Sequence, residues 1–343
     1  MAPKTGRTVV ITGASAGLGR AIAHAFACEG ARIGLISRNR ERLETARAEV
    51  ENLGGTAMIL IADMADSEQV DLAASQVEQQ FGEIDVWVNN AMTSVFSPFK
   101  TMTPEEFRRV TEVTYLGAVY GTMAALHRML PRNHGTIIQV GSALSSRSIP
   151  LQSAYCGAKH AMRGFTDSIR CELAHDKSKV HITMVQLPAM NTPQFNWVKS
   201  RLPNKPQPVP PIFQPEVAAE AIVWASHHRR RELYVGMPTV MAMWGNKVIP
   251  GLIDLYLGRT AYQSQQTDQP EEPDRPSNLW QSVPGPFTAH GSFGNRAKES
   301  SQQLWFAKHK WMLGAVMAGY AAAAAVLSIA NRGDGRRSRF TDD

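Results

Sequence analysis

The stretch Thr8-Val9-Val10-Ile11-Thr12-Gly13-Ala14-Ser15-Ala16-Gly17-Leu18-Gly19-Arg20-Ala21-Ile22-Ala23-His24-Ala25-Phe26 decides the fold. Its first five residues are a β-branched run, and Ala21, Ile22, Ala25 and Phe26 recur at helical spacing after the glycines. The order is therefore strand, glycine turn, helix. At such a junction free backbone N–H groups and the positive end of the helix dipole face an anion, and glycines let a pyrophosphate approach the main chain. Placed between a strand and an amphipathic helix, the turn points to a dinucleotide site.

The same alternation runs on downstream. Residues 32–36, 57–62, 84–88, 136–140, 180–186 and 232–235 read as strands. Residues 40–53, 67–81, 103–129, a span from the Tyr155 region to about 173, and 216–226 read as the helices between them. Thr103-Pro104-Glu105-Glu106 marks one helix start, because Thr caps, Pro suits the first position and Glu at the third closes a capping box. Residues 188–215 are rich in proline and are expected to form an irregular lid over a substrate. Such alternation requires a parallel sheet covered on both faces, so the expected fold class is α/β, a doubly wound, Rossmann-like sheet. Gly13 to Gly19, Asp63, Asn89-Asn90-Ala91, Ser142 and Pro188 all follow strand ends and converge on the edge where such sheets bind ligands.

Two further features carry chemistry. In Tyr155-Cys156-Gly157-Ala158-Lys159 the phenol and the ammonium stand four residues apart on one helix face and can point into one cleft. A nearby positive charge favours the phenolate over the phenol, which would make Tyr155 a proton donor and acceptor near neutral pH. Arg38 closes the second strand, some twenty residues beyond the glycines, where a dinucleotide fold reads the adenine ribose. A guanidinium there matches a 2′-phosphate, which favours NADP over NAD. The plainer alternative is that Arg38 only opens the basic helix 40–53.

At 343 residues, 43% hydrophobic and 19% charged, the chain can bury a full core. One large domain, residues 1–262, is expected, with an irregular linker over 263–302 and a hydrophobic helix with a basic tail over 303–343. Cys28, Cys156 and Cys171 are too scattered for a disulfide framework or a thiolate metal site, so they read as reduced thiols in a cytoplasmic compartment, with no metal expected. Of the net charge of +6, half comes from residue 301 onward, where six Lys and Arg oppose three Asp. The remainder is a solvated surface, and His227-His228-Arg229-Arg230-Arg231 lacks interleaved aromatics, so no nucleic-acid partner is expected.

With these pieces in place, residues 5–240 resemble the short-chain dehydrogenase/reductase family. The matches are Thr12-Gly13-x-x-x-Gly17-x-Gly19, Asn89-Asn90-Ala91, Ser142 thirteen residues before Tyr155, Tyr155-x-x-x-Lys159, and Pro188 leading to Thr192. The resemblance implies that Tyr155 is the acid/base of a carbonyl/alcohol interconversion with hydride passing to or from a nicotinamide. It implies that Lys159 holds the nicotinamide ribose and lowers the pKa of Tyr155, and that Ser142 hydrogen-bonds the reacting oxygen. Gly13, Ser15, Gly17, Leu18 and Gly19 would line the pyrophosphate, Asp63 and Met64 the adenine, Asn90 the adenosine ribose, and Pro188 and Thr192 the nicotinamide end, with Ala91 also among the cofactor-binding residues. Each of Ser142, Asn90 and Asp63 has a plainer reading as a turn serine, a strand-end cap or a helix-side cap.

The chain departs from the family pattern at three places. An Asn that supports a water-linked proton relay in many members is matched here by Thr114, whose hydroxyl can back-bond within the helix or hold a water. Met92 and Ala189 stand where glycine is common and add bulk near the nicotinamide pocket. Met92, Leu144, Met190, Phe195 and Trp197 form the candidate substrate pocket, which suits an apolar or amphipathic carbonyl or alcohol.

Beyond the catalytic fold, residues 240–257 suggest two short packed helices that shape the pocket or a subunit interface, and a homo-oligomer is expected. Residues 263–298 are poor in aliphatics and read as a segment draped over the surface or disordered. Residues 311–330 run twenty residues without a charge and read as a tail anchor or interfacial membrane helix, with an alanine-rich packing helix as the alternative. The leading function is an NADP-dependent oxidoreductase. The alternative is a nucleotide-binding regulatory or scaffold protein without turnover, and epimerase or dehydratase chemistry on a nucleotide sugar is disfavoured by the Ser142 to Tyr155 spacing.

Overall fold

The computed structural model describes residues 6–272 and 274–309. Seven parallel strands form the central sheet: β1 (Thr8–Thr12), β2 (Arg32–Ser37), β3 (Thr56–Ile61), β4 (Val86–Asn89), β5 (Thr136–Val140), β6 (His181–Gln186) and β7 (Glu232–Tyr234). Their order across the sheet is β7-β6-β5-β4-β1-β2-β3. The order reverses between β1 and β4, and that switch point opens the crevice where a doubly wound sheet takes its ligand. All five residues of β1 are buried, as expected of a strand covered on both faces.

The crossovers are α1 (Gly17–Ala27), α2 (Arg40–Asn52), α3 (Ser67–Phe81), α4 (Pro104–Thr111), α5 (Gly117–Met129), α6 (Ser153–His175) and α7 (Pro215–His227). α1 packs on α7 and α2, while α3 packs on α5 and α4 on α6. The capping box at Thr103 is present: its hydroxyl accepts from Glu106 N at 3.3 Å, and the Glu106 carboxylate accepts from Thr103 N at 3.0 Å.

The single helix expected over 103–129 is interrupted. A π-helical turn at Glu112–Leu116 separates α4 from α5, and within it the Thr114 hydroxyl donates to Thr93 O at 2.8 Å and accepts from Thr93 N at 3.0 Å. Just past the turn, α5 lies close on the sheet. A Cβ on Gly121 would stand 2.2 Å from Asn89 Oδ1, and one on Gly117 2.9 Å from Met64 Cβ. Asn89 is the buried hub of that contact, accepting from Trp87 Nε1 at 2.8 Å and donating to Thr122 Oγ1 and Gln139 Oε1, each at 3.1 Å.

After the sheet come α8 (Met237–Val248) and α9 (Pro250–Ser264), a little longer than the two expected helices. The lid residues carry short strands rather than none. Asn204–Pro206 pairs with Gln266–Pro270, and Ile212–Phe213 pairs with both Ala189–Met190 and Ala297–Lys298. The segment expected to be a linker is thus stitched at both ends to the lid, and it belongs to the unit Met1–Ser301. The second unit, Gln302–Asp343, contains α10 (Gln302–Lys308). The apolar run 311–330 lies outside the described residues. Among the described residues no helix is long and apolar enough to cross a membrane.

Candidate active site

A cavity of about 420 Å³ runs along the carboxyl ends of the strands. At one end stands the glycine turn. Gly13 and Gly17 hold φ of +68° and +59°, a region that side chains with a Cβ rarely adopt. Gly19 does not line the cavity but packs beneath the turn, where a Cβ would stand 2.2 Å from Gly13 O. Ala16, which precedes α1, offers no side-chain cap, so the first N–H groups of the helix are left to other partners. Asn90 ties the turn to β4 by donating to Thr12 O at 2.9 Å and Gly13 O at 3.4 Å.

At the other end stands Tyr155, in the first turn of α6. Its phenol faces Ser142, a neighbour that favours the phenolate, and Lys159 Nζ lies 5.7 Å from its ring centroid. Ser142 is itself fixed: its N–H donates to Gln186 Oε1 at 3.0 Å and its Oγ accepts from Leu144 N at 3.1 Å. Lys159 donates to Val140 O at 2.7 Å. Burial pushes the Tyr155 phenol upward, with Ser142 pulling the other way. Burial of the phenol itself thus sets a direction opposite to the expected lowering by Lys159, and the same burial brings the lysine down to about 7.

Cations gather around the β2 and β3 ends. Arg38 donates to Asn278 O at 2.6 Å and Trp280 O at 2.8 Å and lies 3.8 Å from the Asp63 carboxylate. Arg109 donates to the same carboxylate at 2.5 Å and to Leu279 O at 3.0 Å. Burial alone would raise the Asp63 carboxyl, but the Arg109 hydrogen bond and the Ala65 N–H hold it below the usual carboxylate range. The sequence did not single out Arg109 or Arg42. Arg109 sits in α4 and is brought in only by packing, whereas Arg42, four residues after Arg38, was visible as a basic helix residue.

Residues 278–293 form a strap along this wall. Besides the bonds to Arg38 and Arg109, Thr288 O accepts from Gly17 N at 2.9 Å, Phe287 O from Arg20 at 3.0 Å, and Gly291 N donates to Asn191 O at 3.1 Å. Asn278 and Ser282 line the cavity.

Of the sequence candidates, Gly13, Ser15, Gly17, Leu18, Arg38, Asp63, Met64, Asn90, Ala91, Ser142, Tyr155, Lys159, Pro188 and Thr192 line this one cavity, as do Met92, Leu144, Met190, Phe195 and Trp197. Thr114 does not: it is fully buried, and its hydroxyl donates to Thr93 O and accepts from Thr93 N. Trp197 packs on Phe287 with ring centroids 4.6 Å apart, and its ring lies 5.0 Å below the Arg42 guanidinium, which puts it at the strap. Further lining residues come from outside the motifs, among them Phe96, Ile149, Gln152, Pro238 and Ala242.

A sequence model of the short chain dehydrogenase family matches residues 7–202. The uncharacterized oxidoreductase YxnA of Bacillus subtilis (strain 168) is 35% identical over 277 residues, covering 80% of this chain and 78% of that one. A fatty acyl-CoA reductase of Acinetobacter baylyi is 31% identical over 235 residues, covering 66% of this chain and 75% of its own length. The solved structure of an alcohol dehydrogenase from the archaeon Thermococcus sibiricus, complexed with 5-hydroxy-NADP, is similar with a TM-score of 0.59 at 28% identity, over 67% of this chain and 95% of that one. The matched span holds the glycine turn, Ser142, Tyr155 and Lys159 on one cavity, and the chain belongs to the short-chain dehydrogenase family, as an oxidoreductase that works with NAD(P).

Proposed function

We propose that the protein interconverts a carbonyl and an alcohol with NADP in preference to NAD, Tyr155 serving as acid/base on an apolar or amphipathic substrate. The observation that carries this reading is the convergence of Ser142, Tyr155 and Lys159, with the lysine 5.7 Å from the tyrosine ring centroid, at one end of a cavity whose other end is the glycine turn. The residues present suit a dinucleotide: Gly13 and Gly17, both at positive φ, line one end, and Arg38 and Arg42 line the same cavity, where a ribose phosphate would find positive charge. When bound, a nicotinamide supplies or accepts the hydride.

The chain's own residues then handle the proton. In reduction the Tyr155 phenol gives its proton to the substrate oxygen while the Ser142 hydroxyl holds that oxygen in place. The phenolate left behind is stabilised by Ser142, which favours the charged form, and by Lys159 in the fraction of molecules where its ammonium keeps its proton near pH 7. In oxidation the same phenolate takes the hydroxyl proton. Met92, Leu144, Met190 and Phe195 shape the substrate side, and the name of the acyl-CoA reductase relative agrees with an apolar chain there.

Tyr155→Phe is expected to lower kcat by about 10²- to 10⁴-fold while NADPH affinity stays within a few-fold. A carbonyl and alcohol panel with both nucleotides reads this, and undiminished turnover by the variant would sink the catalytic role. Tighter binding of NADH than NADPH would sink the cofactor preference. Residues 311–330 are proposed to attach the chain to a membrane. Deletion of 303–343 should then release it from a membrane pellet, and equal solubility of both forms would remove that role.

A further inference from the structure

We propose that the hairpin of α8 and α9 is a docking surface for a lipid bilayer, its outward apolar stripe entering the boundary between headgroups and acyl chains while Lys247 and Arg259 meet anionic phosphate. The proposal stands apart from the attachment assigned to residues 311–330, and its test separates the two.

Met237, Met241, Trp244 and Val248 follow one another at spacings of four, three and four residues, so they share one face of α8. They are 54%, 66%, 57% and 73% exposed. Across the turn, Leu252, Leu255 and Tyr256 repeat the pattern in α9 at 65%, 62% and 64%. A helix on the surface of a globular protein turns such a stripe toward the core. Here both helices turn it outward, and a contiguous exposed apolar patch marks an interaction surface.

Polar bonds to the loop before Tyr155 keep the hairpin from rolling its stripe inward. Asn246 donates to Ser146 O at 2.8 Å and accepts from Arg147 at 3.0 Å, and Arg147 also pairs with Asp254. Just past α9, Gln265 donates to Pro150 O at 3.0 Å and accepts from Gln152 at 2.7 Å. The inward side of α8 is already in use: Thr239 and Met243 are buried, and Pro238 and Ala242 line the cavity. The exposed stripe and one wall of the cavity are therefore adjoining faces of one helix, and a bilayer seated on the stripe lies next to the cavity.

The chemistry of the stripe selects a bilayer over a protein partner. Trp244 and Tyr256 join an apolar body to a polar tip, which suits the headgroup level. The Lys247 ammonium lies 5.2 Å from the Trp244 ring centroid, so its stem runs along the stripe while its charge can reach phosphate. Arg259 follows Tyr256 by three residues, on the same side of α9. The hairpin's one carboxylate, Asp254, is answered by Arg147, so the face presents net positive charge, as binding to anionic lipid requires. Lysine is depleted in interfaces between proteins.

The test uses the full chain with an environment-sensitive nitrobenzoxadiazole label on one cysteine. One protein carries L252C with C28S and C171S, which remove the exposed thiols. The other carries C171S alone and is labelled on Cys28, which ends α1 at the sheet edge opposite the cavity. Vesicles of phosphatidylcholine mixed with phosphatidylserine are expected to shift emission to the blue at position 252 and to permit quenching there by nitroxide-labelled lipid, with no change at Cys28. Phosphatidylcholine alone should give a smaller shift, K247A/R259A should lose that difference, and M241E/W244E should abolish the shift. Should L252C not fold, L255C is labelled and read the same way. Sedimentation with the vesicles but water-like emission at position 252 would assign attachment to residues 311–330 alone and overturn the proposal, as would a shift at both label sites. Absence of both sedimentation and shift would overturn this proposal and that attachment together. Blue emission at position 252 before vesicles are added would also overturn it, in favour of a second copy if the signal rises with protein concentration and of a segment of the same chain if it does not.

Discussion

Lys159 is 2% exposed, its ammonium donates to a backbone carbonyl, and among the described residues no carboxylate pairs with it. Desolvation therefore holds it near 7 against an ordinary 10.5. Between those values the unfolded chain binds a proton that the folded chain does not, so this group makes stability rise with pH from about 7 upward and contributes no slope below. Lys159→Met should remove that part of the rise. Thermal melts between pH 6 and 9 should show Tm of the wild type gaining a few degrees relative to the variant, and parallel profiles would refute it. The positions of Tyr155, Lys159 and Ser142 were legible because helical spacing and strand ends are local patterns. The direction of the Tyr155 shift was not, since it depends on how much protein surrounds the ring.

Two helix glycines show the same limit one level up. Gly121 in α5 faces Asn89 Oδ1 and Trp87 Nε1, where a Cβ would stand 2.2 and 2.7 Å away, whereas Gly164 in α6 is exposed and would meet nothing within 4 Å. Gly121→Ala is expected to cost about 2 kcal/mol or more by overpacking and by disturbing the buried amide. Gly164→Ala should instead stabilise by about 0.5–1 kcal/mol through helix propensity and chain entropy. Urea titration of both variants gives the two signs, and a shared sign would show that the α5 contact is not as tight as described. Strands and most helices were readable from apolar period and caps. The π-helical turn between α4 and α5 was not, since the hydrogen bonds of Thr114 within it go to the backbone of Thr93, 21 residues away, and follow no local pattern.

At the scale of the whole unit, the strap decides between two alternatives that the composition of residues 263–298 left open, a segment draped over the surface or a disordered one. Residues 278–293 are draped and held through backbone carbonyls of Asn278, Leu279, Trp280, Phe287 and Thr288, groups that every sequence possesses and that composition cannot register. The strap touches Gly17 and Arg38, so nucleotide exchange is expected to require it to move. Asn39 Nδ2 lies 3.4 Å from Ser282 Oγ, which offers a lock: N39C/S282C, oxidised, should exchange NADPH at least about tenfold more slowly than when reduced. Equal rates in the two states would show that exchange does not pass under the strap.

The strap also joins distant parts of the chain. Arg20 and Phe287 stand 267 residues apart, so closing that contact fixes a long loop at an entropic cost. A nucleotide lying between the strap and the glycine turn would touch both sides of that closure, and its binding is therefore expected to offset part of the cost and to make the strap more resistant to proteolysis when NADPH is present.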